Sequence, residues 1–267
     1  MHEIRFCQYD ELNLLQDFLT KNWNKRHVLV SCTKLLQWQH YNTREKIINF
    51  VVAYNKNSKE FDAILGFIPT SQYDFNIKNL DIWLAIWQVK EEFASTGIGL
   101  QVLLFLSSNY KASSIGVSGI SENAMKIYKA FKYKTGILKH FYIKNDNFTD
   151  YSIASFNNIN NVTHSTNSNI DIKQITDKEF LSSNVSYQYT PYKTKDYYIN
   201  RYYNNSFYEY TFNAIVIKNT IIGVFITRKI IVDKAACIRI VDWIGDYSKN
   251  LYHEFQKLLQ KNNAEYI

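Results

Sequence analysis

Three apolar runs in close succession, followed by a glycine turn and an apolar helix, limit the folds open to this chain. Residues 46–55 (KIINFVVAYN), 61–69 (FDAILGFIP) and 79–89 (NLDIWLAIWQV) have strand length and are rich in β-branched and aromatic side chains. The polar stretch 55–60 between the first two reads as a turn, so they pair as a hairpin. Upstream, residues 2–9 alternate as a strand, and 10–22 set Leu12, Leu15, Phe18 and Leu19 on one helical face. A second helix fits 32–40. Downstream the pattern predicts a helix over 97–110, a short strand over 114–120, a helix over 122–131 and a strand over 133–144. This is an antiparallel meander feeding a βαβ unit, an α/β (α+β) class with a central mixed, mostly antiparallel sheet.

The chain has 267 residues, 46% of them hydrophobic, enough for a sizeable core. No apolar run reaches the roughly 20 residues of a membrane span. The start MHEIRFCQYDEL lacks the features of a secretory signal. Cys7, Cys32 and Cys237 show no metal or redox spacing, which fits a reducing cytoplasm. The net charge of +7 is spread along the chain without a basic stripe, so nucleic acid is not the expected partner. Polyanionic small molecules remain compatible with it.

Residues 157–169 (NNINNVTHSTNSN) hold little to bury and read as a linker between a domain over 1–156 and a second over 170–267. The second half reads as a degenerate, incomplete repeat. ILGF at 64–67 and IIGV at 221–224 share one sequence offset with LDIWLAIWQV at 80–89 and CIRIVDWIGD at 237–246. The copy stops early, which predicts a sheet edge left short or completed by a partner.

Chemistry concentrates in Trp87–Gln101, WQVKEEFASTGIGLQ. A strand runs into a polar turn with Gly97 and Gly99, and an apolar helix follows. Backbone amides at a helix start form an anion site aided by the helix dipole, and glycines let the backbone approach a pyrophosphate.

This segment resembles the acetyl-CoA loop of the GNAT acetyltransferase family, in which a strand ending in Val is followed by Gln/Arg-x-x-Gly-x-Gly/Ala and a helix. Val89, Gly97, Ile98 and Gly99 match, whereas Ala94 stands where the family has Gln or Arg. SENAMKIYKAFKY at 121–133 is similar to the family's Asn-x-x-Ala-x-x-Leu-Tyr-x-x-x-Gly-Phe segment through Asn123, Tyr128 and Tyr133, with Lys132 in place of the glycine. The resemblance covers residues 2–144 and implies a GNAT fold followed by a partial second GNAT-like copy. It implies acetyl-CoA or another acyl-CoA as co-substrate, held by Trp87, Val89, Ser95, Thr96, Gly97, Ile98, Gly99, Leu100, Asn123 and Tyr128. It also implies a gap between the strands at 79–89 and 114–120 for the pantetheine arm, and Tyr128 as the acid that protonates the leaving thiolate.

The general base is less constrained. Asp81, Glu92 and Glu91 are candidates, with His27 and His40 as further options. Trp83 and Trp87 share strand parity, which puts them on one face. The second copy lacks glycine after Asp246, so it offers no phosphate cradle; Asp242, Trp243, Arg228 and Arg239 are candidates for shaping an acceptor pocket. No metal-ligand spacing is visible. A looser likeness to tandem GNAT-like proteins of bacterial surface-polysaccharide pathways, in 50–74 and 239–246, implies an amino-sugar acceptor. The alternatives are a Fem-type aminoacyl transferase using aminoacyl-tRNA and a non-catalytic binding protein on the same fold.

Overall fold

The structure is a computed structural model, and it describes residues 1–78, 80–156, 169–246 and 250–267. The chain divides into two compact units. Unit 1 comprises Met1–Thr135 with Tyr189–Lys193, and unit 2 comprises Gly136–Gln188 with Thr194–Ile267. Of the stretch read as a linker, residues 157–168 lie outside the described residues.

Unit 1 runs β1 (His2–Gln8), α1 (Leu12–Asn22), α2 (Val28–Ser31), α3 (Thr33–His40), β2 (Tyr41–Asn42), β3 (Ile47–Asn55), β4 (Glu60–Pro69), β5 (Asp81–Val89), α4 (Ile98–Asn109), β6 (Ser114–Gly116) and α5 (Glu122–Ala130). The sheet order is β1-β3-β4-β5-β6, with β2 paired to β3. All pairs are antiparallel except β5 with β6. Burial along β3 is almost continuous because helices cover both faces of the sheet centre. Helix α4 packs Ile98, Val102 and Leu106 on Val51, Ala53, Leu65 and Phe67, while α1 and α3 also lie against β3 or β4.

Two sequence expectations change here. A β-bulge sets Ala85 and Ile86 of β5 opposite the single residue Gly66, between the pairs Leu65–Trp87 and Phe67–Leu84. One inserted residue reverses the alternation of side chains. Trp87 therefore shares the α4-facing side with Leu65 and Phe67, while Trp83 pairs with Ile68 on the other side. The two tryptophans are on opposite faces, not on one. The second change is at 133–144, which forms no strand apart from a single bridge from Lys144 to Tyr266. Several of its apolar residues are displayed instead, with Ile137 96% and Phe141 87% exposed.

Unit 2 contains β7 (Ile170–Gln174), α6 (Asp177–Ser182), α7 (Lys195–Tyr198, continued by a π-helical turn over Ile199–Tyr203), β8 (Thr211–Ile217), β9 (Thr220–Val232), β10 (Ala235–Gly245) and α8 (Tyr252–Asn262). Its strands lie in the order β10-β9-β8-β7, all antiparallel. This repeats β5-β4-β3-β1 of unit 1, with helices after the first strand and after the fourth, so unit 2 is a partial copy of the same fold. Gly66 pairs with Phe50, and the corresponding Gly223 pairs with Ile215.

The edge expected to be short in this copy is completed by the chain itself. Glu265 N–H donates to the Ala236 carbonyl, and Ile238 N–H donates to the Tyr266 carbonyl. On the far side of that terminal strip, Ile143 and Ile267 exchange both backbone hydrogen bonds. The buried Glu265 carboxylate accepts from the amides of Ser152 (2.8 Å) and Ile153 (3.0 Å). Edge groups of β10 at Ala236 and Ile238 are thereby satisfied within the chain.

Candidate functional site

β6 pairs with β5 only over Asp81–Ser114, Ile82–Ile115 and Trp83–Gly116, and beyond Gly116 the chain leaves the sheet. From Leu84 to Val89, β5 has a strand neighbour among the described residues on the β4 side alone. The ladder thus opens into a gap alongside the bulge, where Ala85 is exposed. An extended ligand can follow such a strand edge by using its unpaired backbone groups.

The gap leads to the turn at 94–97, which is exposed throughout. Gly97 is the N-cap of α4 in the left-handed conformation (φ 78°), and its carbonyl receives the amides of Leu100 and Gln101. The Thr96 amide is used by the Phe93 carbonyl at 3.1 Å. Among the described residues, no hydrogen bond satisfies the amides of Ser95, Gly97 and Gly99. These donors sit where the dipole of a 12-residue helix is positive.

The two glycines do different work. A methyl group on Gly97 would meet nothing within 4 Å, so this position is open to a ligand and its glycine is required by backbone conformation. A methyl group on Gly99 would lie 2.7 Å from Val89 Cγ2 and 3.6 Å from Trp87 Nε1. Gly99 therefore lets α4 press against β5, a packing role. Trp87 locks the same contact by donating from Nε1 to the Gly99 carbonyl at 3.1 Å. Val89, Ile98 and Leu100 belong to the apolar cluster beneath the turn.

Tyr128 is 2% exposed, and its ring meets Trp87 at 5.7 Å and Tyr133 at 5.4 Å. Its hydroxyl has no hydrogen-bond partner among the described residues. Burial, with a smaller contribution from Tyr133, pushes its pKa up to about 12. It is thus a neutral proton donor at any physiological pH.

Local sequence fixes this tyrosine. Ser121 caps α5 by accepting the Ala124 amide at 3.2 Å. At the other end, the Tyr133 amide reaches the Tyr128 carbonyl (3.0 Å) and the Lys132 amide reaches Lys129 (2.9 Å). This is a Schellman motif, and the Tyr128–Tyr133 contact is its usual hydrophobic partner. Lys132 takes the left-handed position with φ 61°, where the resembling family has glycine. The backbone conformation is kept although the residue is not. Lys132→Gly is expected to stabilise unit 1 by about 1 kcal/mol, read as a higher denaturation midpoint; an unchanged or lower midpoint would show the strain is absent.

The acid and base candidates separate. Asp81 is 2% exposed and accepts from Ser114 Oγ at 2.6 Å and from the Tyr192 amide at 2.8 Å. Both oxygens are engaged in holding β6 and the 189–193 segment. Glu92 and Asn123 are exposed and make no hydrogen bond or ion pair among the described residues. His27 is a helix cap, its Nδ1 accepting the Leu29 amide at 3.3 Å.

His40 is a core residue with Nδ1 3.3 Å from the Phe67 carbonyl. Burial, opposed by the carbonyls of Phe67 and Asn49, pulls its pKa from 6.5 down to about 4. A depressed folded pKa contributes stability above the unfolded value that is lost as pH falls through the folded one. Unit 1 is therefore expected to lose about 3 kcal/mol between pH 6.5 and pH 4 from this group. In His40→Leu that part of the acid dependence should vanish from urea titrations run at both pH values.

In unit 2 the acceptor-pocket candidates have structural partners. Asp242 accepts from the Tyr202 hydroxyl at 2.9 Å, Trp243 stacks on Phe225 at 5.1 Å, and the Arg228 guanidinium lies 3.8 Å from the Tyr208 ring centre. Arg239 is exposed. Residues 247–249, just after the point where this copy was expected to lack a cradle, lie outside the described residues.

No family model and no curated protein sequence matches the chain. Solved structures do. A GCN5-related N-acetyltransferase from Anabaena variabilis aligns with a TM-score of 0.56 at 11% identity, over 100% of this chain and 64% of its own. A putative acetyltransferase from Pyrococcus horikoshii aligns with a TM-score of 0.51 at 12% identity, over 100% of this chain and 78% of its own. The splayed β5–β6 pair, the β5 bulge and the glycine-capped α4 stand within this likeness: the chain has the GNAT fold.

Proposed function

We propose that unit 1 is an acyl-CoA-dependent N-acyltransferase, acetyl-CoA being the expected co-substrate. The observation that carries this reading is the gap between β5 and β6 opening onto the unsatisfied amides of Ser95, Gly97 and Gly99. A pyrophosphate accepts from those amides, and an extended pantetheine follows the free edge of β5 toward the bulge. Ala94 supplies no cationic or amide side chain, so phosphate binding rests on the backbone and the helix dipole.

A neutral amine attacks the thioester carbonyl, and the C–S bond breaks as the tetrahedral intermediate collapses. The thiolate then takes a proton from the Tyr128 hydroxyl, which the surroundings keep protonated. Asp81 is committed to Ser114 and Tyr192, so of the carboxylates considered, Glu92 and Glu91 are left available to accept the amine's proton. An amino sugar, free or nucleotide-linked, in surface-polysaccharide assembly is the acceptor this reading favours, on the sequence likeness at 50–74 and 239–246.

Transfer of radiolabelled acetyl from acetyl-CoA to a panel of hexosamines and their nucleotide conjugates tests the reading. Labelled amide product from at least one member is expected. A panel that yields none, with acetyl-CoA bound, would remove the amino-sugar acceptor and leave the co-substrate standing.

A further inference from the structure

Unit 2 contains a cleft of about 170 Å³ between α8 and the face of its sheet. Unit 1 fills the contact between α4 and its sheet with aliphatic and aromatic side chains, but this cleft has a polar floor. Asn213 is 2% exposed and spends its Nδ2 on Thr227 Oγ1 (2.9 Å) and the Thr211 carbonyl (3.1 Å). Its Oδ1 receives no donor among the described residues. Glu254 is 6% exposed, lines the same cleft and makes no hydrogen bond among the described residues. Its only ion-pair partner among them is Lys257 Nζ, at 4.0 Å.

The first turn of α8 favours a carboxylate through the helix dipole, but that benefit does not require burial. The carboxylate of Glu254 and the amide oxygen of Asn213 are acceptors at the cleft with no donor among the described residues, so a ligand's donors can reach them. Along the rim, Lys257 and Lys261 follow Glu254 at helical spacing on the same face of α8. Lys229 also lies there, with its ammonium on the Asn262 carbonyl at 2.7 Å, and Asp171 is the one acid among these exposed groups.

The floor asks for hydroxyl or ammonium donors, and the rim for a negative charge. The volume is close to the roughly 150 Å³ cavity that encloses one six-membered ring. We propose that this cleft binds a phosphorylated amino sugar, with the amine and ring hydroxyls on Glu254 and Asn213 and the phosphate at Lys257 and Lys261. The site lies wholly within unit 2 and does not rest on the acyl-transfer reading of unit 1.

Calorimetric titration of the full chain with galactosamine 6-phosphate, galactosamine and inorganic phosphate tests it. The phosphorylated amino sugar is expected to bind at least tenfold more tightly than either part. Glu254→Gln should weaken it tenfold or more, and so should the paired change Lys257→Ala and Lys261→Ala. The lysines are exposed, so that variant keeps the fold and decides the matter even where Glu254→Gln does not fold. Acetyl-CoA affinity should be unchanged in both. No binding of the phosphorylated amino sugar, full affinity in the lysine variant, or inorganic phosphate binding as tightly would each overturn the proposal.

Discussion

Tyr128→Phe is expected to leave acetyl-CoA affinity nearly unchanged and to lower turnover by about 10²-fold or more, the scale of a lost general acid. The phenol makes no internal hydrogen bond among the described residues, so removing its oxygen leaves no buried partner behind and the fold is preserved. Its ring contacts with Trp87 and Tyr133 survive the substitution. Burial holds the pKa at about 12, so the donor is fully protonated through neutral pH. The basic limb of the wild-type rate profile therefore should not fall below about pH 10 on account of this group. The same raised pKa makes stability decline between pH 10 and pH 12, and Tyr128→Phe should lack that decline. Unchanged turnover in Tyr128→Phe would remove the tyrosine from the chemistry and leave it as a core residue.

Gly99→Ala is expected to destabilise unit 1 by about 1–3 kcal/mol and to weaken acetyl-CoA binding with it. A β-carbon there lies 2.7 Å from Val89 Cγ2, well inside contact distance. Val89 is β-branched and sits at the end of a strand, so it has few rotamers into which to retreat. Helix α4 must then shift, taking with it the amides proposed to hold the pyrophosphate and the Trp87 bond to the Gly99 carbonyl. Adding Val89→Ala should restore much of the loss, giving a favourable coupling in the double-mutant cycle. Gly97→Ala provides the contrast. Its methyl group meets nothing, and its cost of about 1 kcal/mol comes from φ 78° alone. Additive effects of Gly99→Ala and Val89→Ala would show that the close contact is not the reason for the glycine.

Much of the fold was legible because hydrophobic period tracks burial. The runs at 46–55, 61–69 and 79–89 appear as Ile47–Asn55, Glu60–Pro69 and Asp81–Val89, and the helix at 122–131 as Glu122–Ala130. The repeat offset between ILGF and IIGV corresponds to matching strands in the two sheets. Three features were not legible. Parity arguments assume regular strands, so the bulge opposite Gly66 placed Trp83 and Trp87 on opposite faces. The apolar stretch 133–144 looks like a strand because a local pattern carries no information on whether a neighbour is there to pair with it. The closure of the β10 edge by residues 265–267 joins segments more than 100 positions from Ile143, a long-range pairing that no window captures.

Site residues were legible as a set but not by role. Spacing placed Gly97 and Gly99 together at a helix start, but only φ and the distance to Val89 assign one to the turn and the other to packing. Lys132 looked like a departure from the glycine pattern, yet its left-handed backbone preserves the Schellman turn that seats Tyr133 on Tyr128. Asp81 had the right chemistry for a base, but no sequence signal announces Ser114 and the Tyr192 amide as its partners.

The central claim is that the turn at 95–100 and the free edge of β5 hold acyl-CoA. Acetyl-CoA titration followed on the backbone amide resonances of Ser95, Gly97 and Gly99 tests it most directly. These amides lack partners among the described residues and are expected to donate hydrogen bonds to the phosphates of acetyl-CoA, moving downfield together and saturating at one equivalent with micromolar affinity. Resonances of Ala85 and Ile86 at the bulge should move in the same titration, and CoA lacking its acetyl group should shift the turn equally but the bulge less. Amides at 95–99 that stay in place at millimolar acetyl-CoA would contradict the account.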